Sequence, residues 1–102
     1  MSVKLAVLKS GEQVIADAKE LVSDDQVRGY LFTKPHKVVS TQSLLLTEEQ
    51  RDDNSVEVTL SPWILLTKDN EVVVPTDWVV TVVEPLESVV KMYQEKIDGQ
   101  SN

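Results

Sequence analysis

Apolar and polar positions alternate along most of the chain up to Glu84, and helical spacing takes over only after Pro85. Val3, Leu5 and Val7 alternate with Lys4 and Ala6, which predicts a half-buried strand. The run Leu8-Lys9-Ser10-Gly11-Glu12 then reads as a tight turn, with Gly11 free to take positive φ. Gln13–Val22 fits two periods. Val14, Ile15, Ala18, Leu21 and Val22 recur at helical spacing, with Ser10 and Gln13 placed as a capping box. As a strand, the same segment puts Val14, Ala16 and Ala18 on one face and Ile15, Asp17, Lys19 and Leu21 on the other. The residues alone leave both open.

Ser23-Asp24-Asp25-Gln26 has turn chemistry, and Val27–Thr33 follows as a strand with Gly29 as a point of bending or close approach. Lys34-Pro35-His36-Lys37 is expected to interrupt that strand, because proline cannot donate to a ladder. Val38–Leu46 continues it as a bent or edge strand. Thr47–Asn54 is a charged loop. Ser55–Leu60 alternates, with Val56, Val58 and Leu60 inward, and Pro62 breaks or bulges the strand ahead of Trp63–Leu66. After a turn at Lys68–Glu71 come two valine-rich runs, Val72–Val74 and Val79–Val83, around Pro75-Thr76-Asp77. Runs so short and so rich in valine read as strands covered on both faces, or covered by a neighbour. Leu86, Val89, Val90, Tyr93 and Ile97 then form one helical stripe, with Pro85 in the first turn and Gly99 as the stop.

Length and composition bound this picture. One domain fits in 102 residues, 41% of them hydrophobic, near the size at which self-association often supplements a small core. No apolar run is long enough to span a membrane, and MSVKLAVLKSG lacks a signal-peptide pattern. Cysteine is absent, so there is no disulfide framework or thiolate metal site, as suits a cytoplasmic protein. A net charge of −7 repels phosphate on average, so nucleic-acid binding requires a local basic patch.

The LKSGE turn, the second segment, the third strand, the charged loop and the tail VVVPTDWVVTVVEP, in that order, resemble the Sm/LSm-like family. Within it, they look most like the Sm-like proteins of marine cyanophages. The match runs from about Val3 to Glu84. The resemblance implies an all-β fold: a small barrel of about five strongly bent antiparallel strands over residues 1–84. Family members usually begin with a helix, whereas here a C-terminal helix and tail are at 85–102; their apolar stripe is expected to pack on the barrel, the alternative being a partner or a neighbouring subunit. The resemblance makes Gln13–Val22 the second strand. It also implies a homo-oligomeric ring in which the last two strands pair edge to edge between neighbours. Val72, Val73, Val74, Trp78, Val80 and Val82 are then the subunit interface. RNA-binding members carry an Asp-x-x-Met-Asn-like loop after the second strand and an Arg-Gly pair before the last. Here those places hold Ser23-Asp24-Asp25-Gln26-Val27-Arg28 and Val74-Pro75-Thr76-Asp77-Trp78.

Arg28, Lys34, His36 and Lys37 are the candidate RNA contacts. The more ordinary reading of His36, the lone histidine, is a solvent-facing loop residue. No second histidine or cysteine is present to share a metal with it. Asp24-Asp25 and Asp52-Asp53-Asn54 lack the glycine and distal glutamate of a Ca²⁺ loop and read as turns. Tyr30, Trp63 and Trp78 are aromatic groups for stacking on bases or for anchoring a core or interface. No nucleophile–base pair, phosphate loop, metal site or cofactor motif is recognisable, so a non-enzymatic protein is expected. Two functions follow: an Sm-like ring binding single-stranded RNA in a phage-infected bacterium, or a homo-oligomeric scaffold that has lost RNA binding and engages a protein partner. Convergence of Lys4, Lys9, Lys34 and Lys37 on one face would favour the first.

Overall fold

Strands β1 (Val3–Leu8), β2 (Gln13–Ser23), β3 (Gln26–Thr41), β4 (Glu57–Pro62), β5 (Glu71–Pro75) and β6 (Val79–Val83) precede one helix, α1 (Glu87–Gly99). A 3-10 turn, Thr76–Trp78, joins β5 to β6. The computed structural model describes residues 2–41 and 57–99. The charged loop Thr47–Asn54, the end of the Val38–Leu46 segment, the Asp52-Asp53-Asn54 cluster and Val56 lie outside the described residues.

The sheet is antiparallel, in the order β4-β3-β2-β1-β6, with β5 also on β3. Six strands replace the expected five because β4 and β5 share one partner. The first runs along His36–Thr41 and the second along Gly29–Thr33 of β3. Residues 63–70 leave the sheet between them. Gln13–Ser23 is a strand, paired along both edges with β1 and β3. Ladder bonds on both sides and burial of Val14, Ile15 and Ala16 outweigh the helical spacing, whose local preference is worth only tenths of a kcal/mol per residue.

Burial occurs on both faces of the sheet. One face holds Ala6, Leu8, Val14, Ala16, Phe32 and Val74, joined by Ala18, Tyr30, Trp63, Val72, Val79 and Val82. The other holds Ile15 and Leu60 beneath Tyr93 and Ile97 of α1, with Val3, Leu5, Val38 and Val58 around them. Strand β1 is thus covered on both sides rather than half-buried. The helical stripe packs on its own sheet through Val89, Met92, Tyr93 and Ile97. Leu86 is not part of the buried stripe. Together with Pro85 it precedes the helix, accepts the amides of Val89 and Val90, and stays exposed.

Asp24 and Asp25 form a two-residue hairpin between β2 and β3, both at positive φ (55° and 63°). That is the mirror-image turn whose twist matches the flanking strands. Gly11 takes φ 91° in the turn after β1. Gly29 has a different reason. A Cβ there would sit 3.0 Å from the carbonyl oxygen of Val74 on β5, a backbone atom that cannot swing aside. Gly29→Ala is expected to cost about 1–3 kcal/mol through this overpacking. A denaturant midpoint equal to that of the unmodified chain would contradict the tight β3–β5 approach.

Candidate nucleic-acid interface and subunit edge

Three breaks in the sheet's register determine where the candidate residues point. Leu21 pairs with Gly29 and Val22 with Val27, so Arg28 is an extra residue on β3. Ile15 pairs with His36 and Asp17 with Thr33, so Lys34 and Pro35 together oppose Ala16. Val7 pairs with Thr81 and Leu8 with Val79, so Val80 is extra on β6. A bulge bends the strand and re-aims the side chains beside it.

The second bulge corrects two sequence-based expectations. Strand β3 is not interrupted at Lys34–Lys37 but runs through it, since a bulge is one of the few places where a sheet tolerates proline. Lys34 takes φ 53° there. One additional residue also swaps the faces. Phe32 lies opposite Ala18 in the first core, whereas His36 lies opposite Ile15 in the second and Lys37 opposite Val14. His36 is therefore not a solvent-facing loop residue: it is 2% exposed, with its ring edge-on to Tyr93 at 5.7 Å. A side chain so enclosed cannot meet phosphate.

The backbone of Lys34 is the hub of this region. Its amide donates to the Asn70 carbonyl at 2.6 Å. Its carbonyl accepts the Tyr93 hydroxyl and His36 Nδ1, each at 3.0 Å. A carbonyl only accepts, so the geometry assigns the proton to Nδ1. The Tyr93 hydroxyl also lies 3.0 Å from the Thr33 carbonyl. Desolvation by burial pushes the Tyr93 phenol up to about 12, and the nearby Asp17 carboxylate repels the phenolate in the same direction, offset in part by a backbone hydrogen bond at Asp17.

The other cations do not gather. Arg28 is exposed on its bulge, 4.0 Å from Asp24 in the adjoining hairpin. The cross-strand pair Gly29–Pro75 brings the start of the Thr76–Trp78 turn beside it, so the two loops expected to frame RNA do meet. They carry Asp24, Asp25 and Asp77 against Arg28. Lys34 shares a cleft with Asp69 and Glu71. Six residues of strand, roughly 20 Å at about 3.3 Å each, separate it from Arg28. Lys37 stands in the row of Val14 and Ser61. Lys4 pairs with Glu84 at the rim of a cleft of about 690 Å³ that Tyr30 and Val82 also line. The Lys9 amide donates to the Trp78 carbonyl at 2.9 Å.

The aromatic groups divide. Tyr30 and Trp63 flank Phe32, with ring centroids 6.3 and 6.4 Å away, and Trp63 Nε1 reaches Glu12 at 3.4 Å. Both extend the core. Trp78 remains 44% exposed.

Along the expected interface, Val72, Val74 and Val82 turn into the first core, whereas Val73 and Val80 are 63% and 64% exposed. Among the described residues β5 pairs only with β3 and β6 only with β1, so each has one edge without a strand. The second covering expected for the valine runs is not supplied by this chain's described residues. Sequence reasoning missed that the bulge singles out Val80, because nothing in VVTVV marks which valine is extra.

No group of three or more metal-ligating side chains occurs among the described residues. No helix among them is long and apolar enough to cross a membrane. No curated protein matches the chain. A family model described as an Sm_like domain matches residues 3–94, from the first residue of β1 through the anchoring Tyr93. With that span matched and an antiparallel, bulged sheet carrying one C-terminal helix, the chain belongs to the Sm-like family.

Proposed function

We propose that the protein is a non-enzymatic, ring-forming Sm-like module. One observation carries this reading: β5 and β6 each present an edge with no strand beside it among the described residues, bordered by exposed Val73, Trp78 and Val80. A bare edge with apolar neighbours is a template for another strand, and pairing between identical copies in a closed cycle removes every such edge at once. Native mass spectrometry tests it. A closed oligomer of identical subunits is expected, and a monomer at micromolar concentration would refute it.

Single-stranded RNA is the ligand that family membership suggests, with Arg28, raised on its bulge beside the Thr76–Trp78 turn, as the strongest contact. Cyclic repetition would give a ring of such arginines. Lys34 and Lys37 lie farther along β3 and His36 is enclosed, so phosphate contacts are few. Fluorescence anisotropy with mixed single-stranded RNA is therefore expected to show saturable binding at low salt, weakened by added salt with a log–log slope of about −0.7 per phosphate contact. Arg28→Ala should abolish most of it.

A specific observation favours a second reading, a scaffold for a protein partner: Arg28, Lys34 and Lys4 each lie beside a carboxylate. No anisotropy change at low salt would decide for the scaffold. The likeness of the LKSGE turn and the VVVPTDWVVTVVEP tail to Sm-like proteins of marine cyanophages supports a setting in the cytoplasm of a phage-infected bacterium.

A further inference from the structure

We propose that the apolar loop Ile64-Leu65-Leu66 of one copy packs against Val83 and Leu86 of the next, forming a second contact beside the strand edges. This rests on the ring reading above and adds a partner for the segment inserted between β4 and β5.

The exposed large hydrophobic residues are not scattered. Among the described residues, all but Val22 and Val39 fall between Ile64 and Leu86, with Leu65 at 72%, Leu66 at 100% and Leu86 at 73%. A concentration of this kind marks an interaction surface rather than ordinary surface variation. It is also continuous with the two bare edges. Leu66 lies five residues before the first residue of β5, and Leu86 three residues after the last residue of β6.

Strand direction then selects the occupant. Every strand pair within the subunit is antiparallel. Continuing that pattern across the edge sets the start of β5 against the end of β6 of the neighbouring copy. With Val73 centred on Thr81 of that copy, Glu71 at the start of β5 meets Val83 at the end of the neighbour's β6, which turns the 63–70 loop toward the Glu84–Leu86 linker. The loop of one subunit thereby reaches the linker of the next. Parallel pairing would set the loop against Trp78 instead, at the other end of a five-residue strand roughly 17 Å long.

One charge pair fits the same placement: Lys68 comes beside Glu87 in the first turn of the neighbour's helix. Asp69 and Glu71 approach Glu84, a like-charge group that the Lys4 paired with Glu84 offsets only in part, so the contact is carried by its apolar residues.

The chain contains no cysteine, so introduced thiols report cleanly. Leu66→Cys combined with Leu86→Cys, treated with a short thiol-to-thiol cross-linker, is expected to give covalent multimers up to the closed ring. Val73→Cys with Val80→Cys is the control for the strand edge. Multimers from the control but none from the Leu66/Leu86 variant, or linkage that leaves the monomer mass unchanged, would overturn the loop contact while the ring stands. Failure of both variants together with a monomeric native mass spectrum would remove the ring and this contact with it. As a second readout, Leu66→Ser should weaken assembly about tenfold per interface, the scale of a modest hot spot. Since Leu66 is fully exposed in the subunit, its monomer should melt as before; unchanged assembly would also overturn the contact.

Discussion

Tyr93→Ala is expected to destabilise the subunit by about 3–5 kcal/mol, the usual range for truncating a fully buried aromatic side chain. The ring is 0% exposed and sits at the centre of the helix-covered core. Its hydroxyl also holds the carbonyls of Thr33 and Lys34 where β3 passes through its bulge. The loss is therefore twofold: α1 loses its anchor and the bulge loses a clamp. Tyr93→Phe separates the two effects, keeping the ring and removing the hydroxyl. About 1–3 kcal/mol is expected there, since buried carbonyls lose a donor. Circular dichroism during denaturant unfolding measures both. A helix signal and midpoint unaffected by the alanine would show that α1 does not depend on this side chain.

The same phenol gives a pH dependence of fixed sign. Its pKa rises from 10.0 to about 12 on folding, chiefly because burial disfavours the phenolate. Between those values the unfolded chain has released the proton and the folded chain retains it. Unfolding is thus favoured increasingly as pH climbs from about 10 to about 12, while the contribution is fully present below 10. Tyr93→Phe should lack this part of the alkaline loss. Parallel stability curves for the two proteins across that window would refute the assignment.

Val80→Asp and Val82→Asp should separate assembly from folding, although the residues are two apart on one strand. Val82 lies opposite Ala6 and packs, partly buried, against the first core in the cleft that Lys4 and Tyr30 also line, so an aspartate there gives up apolar contact and sets a carboxylate against Ala6 and Tyr30. A cost to the subunit of about 1–3 kcal/mol is expected. The variant should unfold at a lower denaturant midpoint than the original. Val80 is the bulged residue, exposed and without a cross-strand partner, so an aspartate there is solvated in the subunit. In a ring it would instead be enclosed beside the neighbour's edge. Val80→Asp should therefore melt within about 0.5 kcal/mol of the original as a monomer, yet fail to assemble. Intact rings from that variant would remove β6 from the interface.

Much of the element order was legible because the relevant signals are local. The alternation seen over Glu57–Leu60, the turn residues at Ser10-Gly11 and Asp24-Asp25, and the switch of period after Pro85 each depend on residues that touch through the nearby backbone. The valine runs around Pro75-Thr76-Asp77 likewise became β5, a 3-10 turn and β6. Gln13–Ser23 was not decidable in this way. Its apolar positions serve either period, and only pairing with strands on both sides selects one. The site was less legible than the fold. Arg28, Lys34 and Lys37 look like neighbours in a short basic stretch, but a bulge and the length of β3 send them to different surroundings.

By itself, then, the amino-acid sequence determined a chain of strands up to Glu84, with Gln13–Val22 left open, one C-terminal helix, a net negative charge and valine-rich strands in need of a second covering. These follow from periodicity, composition and turn chemistry, which act over a few residues. The tertiary structure decided which side each residue faces. Side chains alternate with period two, so one inserted residue at Lys34–Pro35 moves His36 from the face of Phe32 to the face beneath Tyr93. The extra residue at Val80 likewise turns one valine outward while Val82 remains in the core. A bulge is a mismatch in length between two strands distant in sequence, and no window along a single strand contains it.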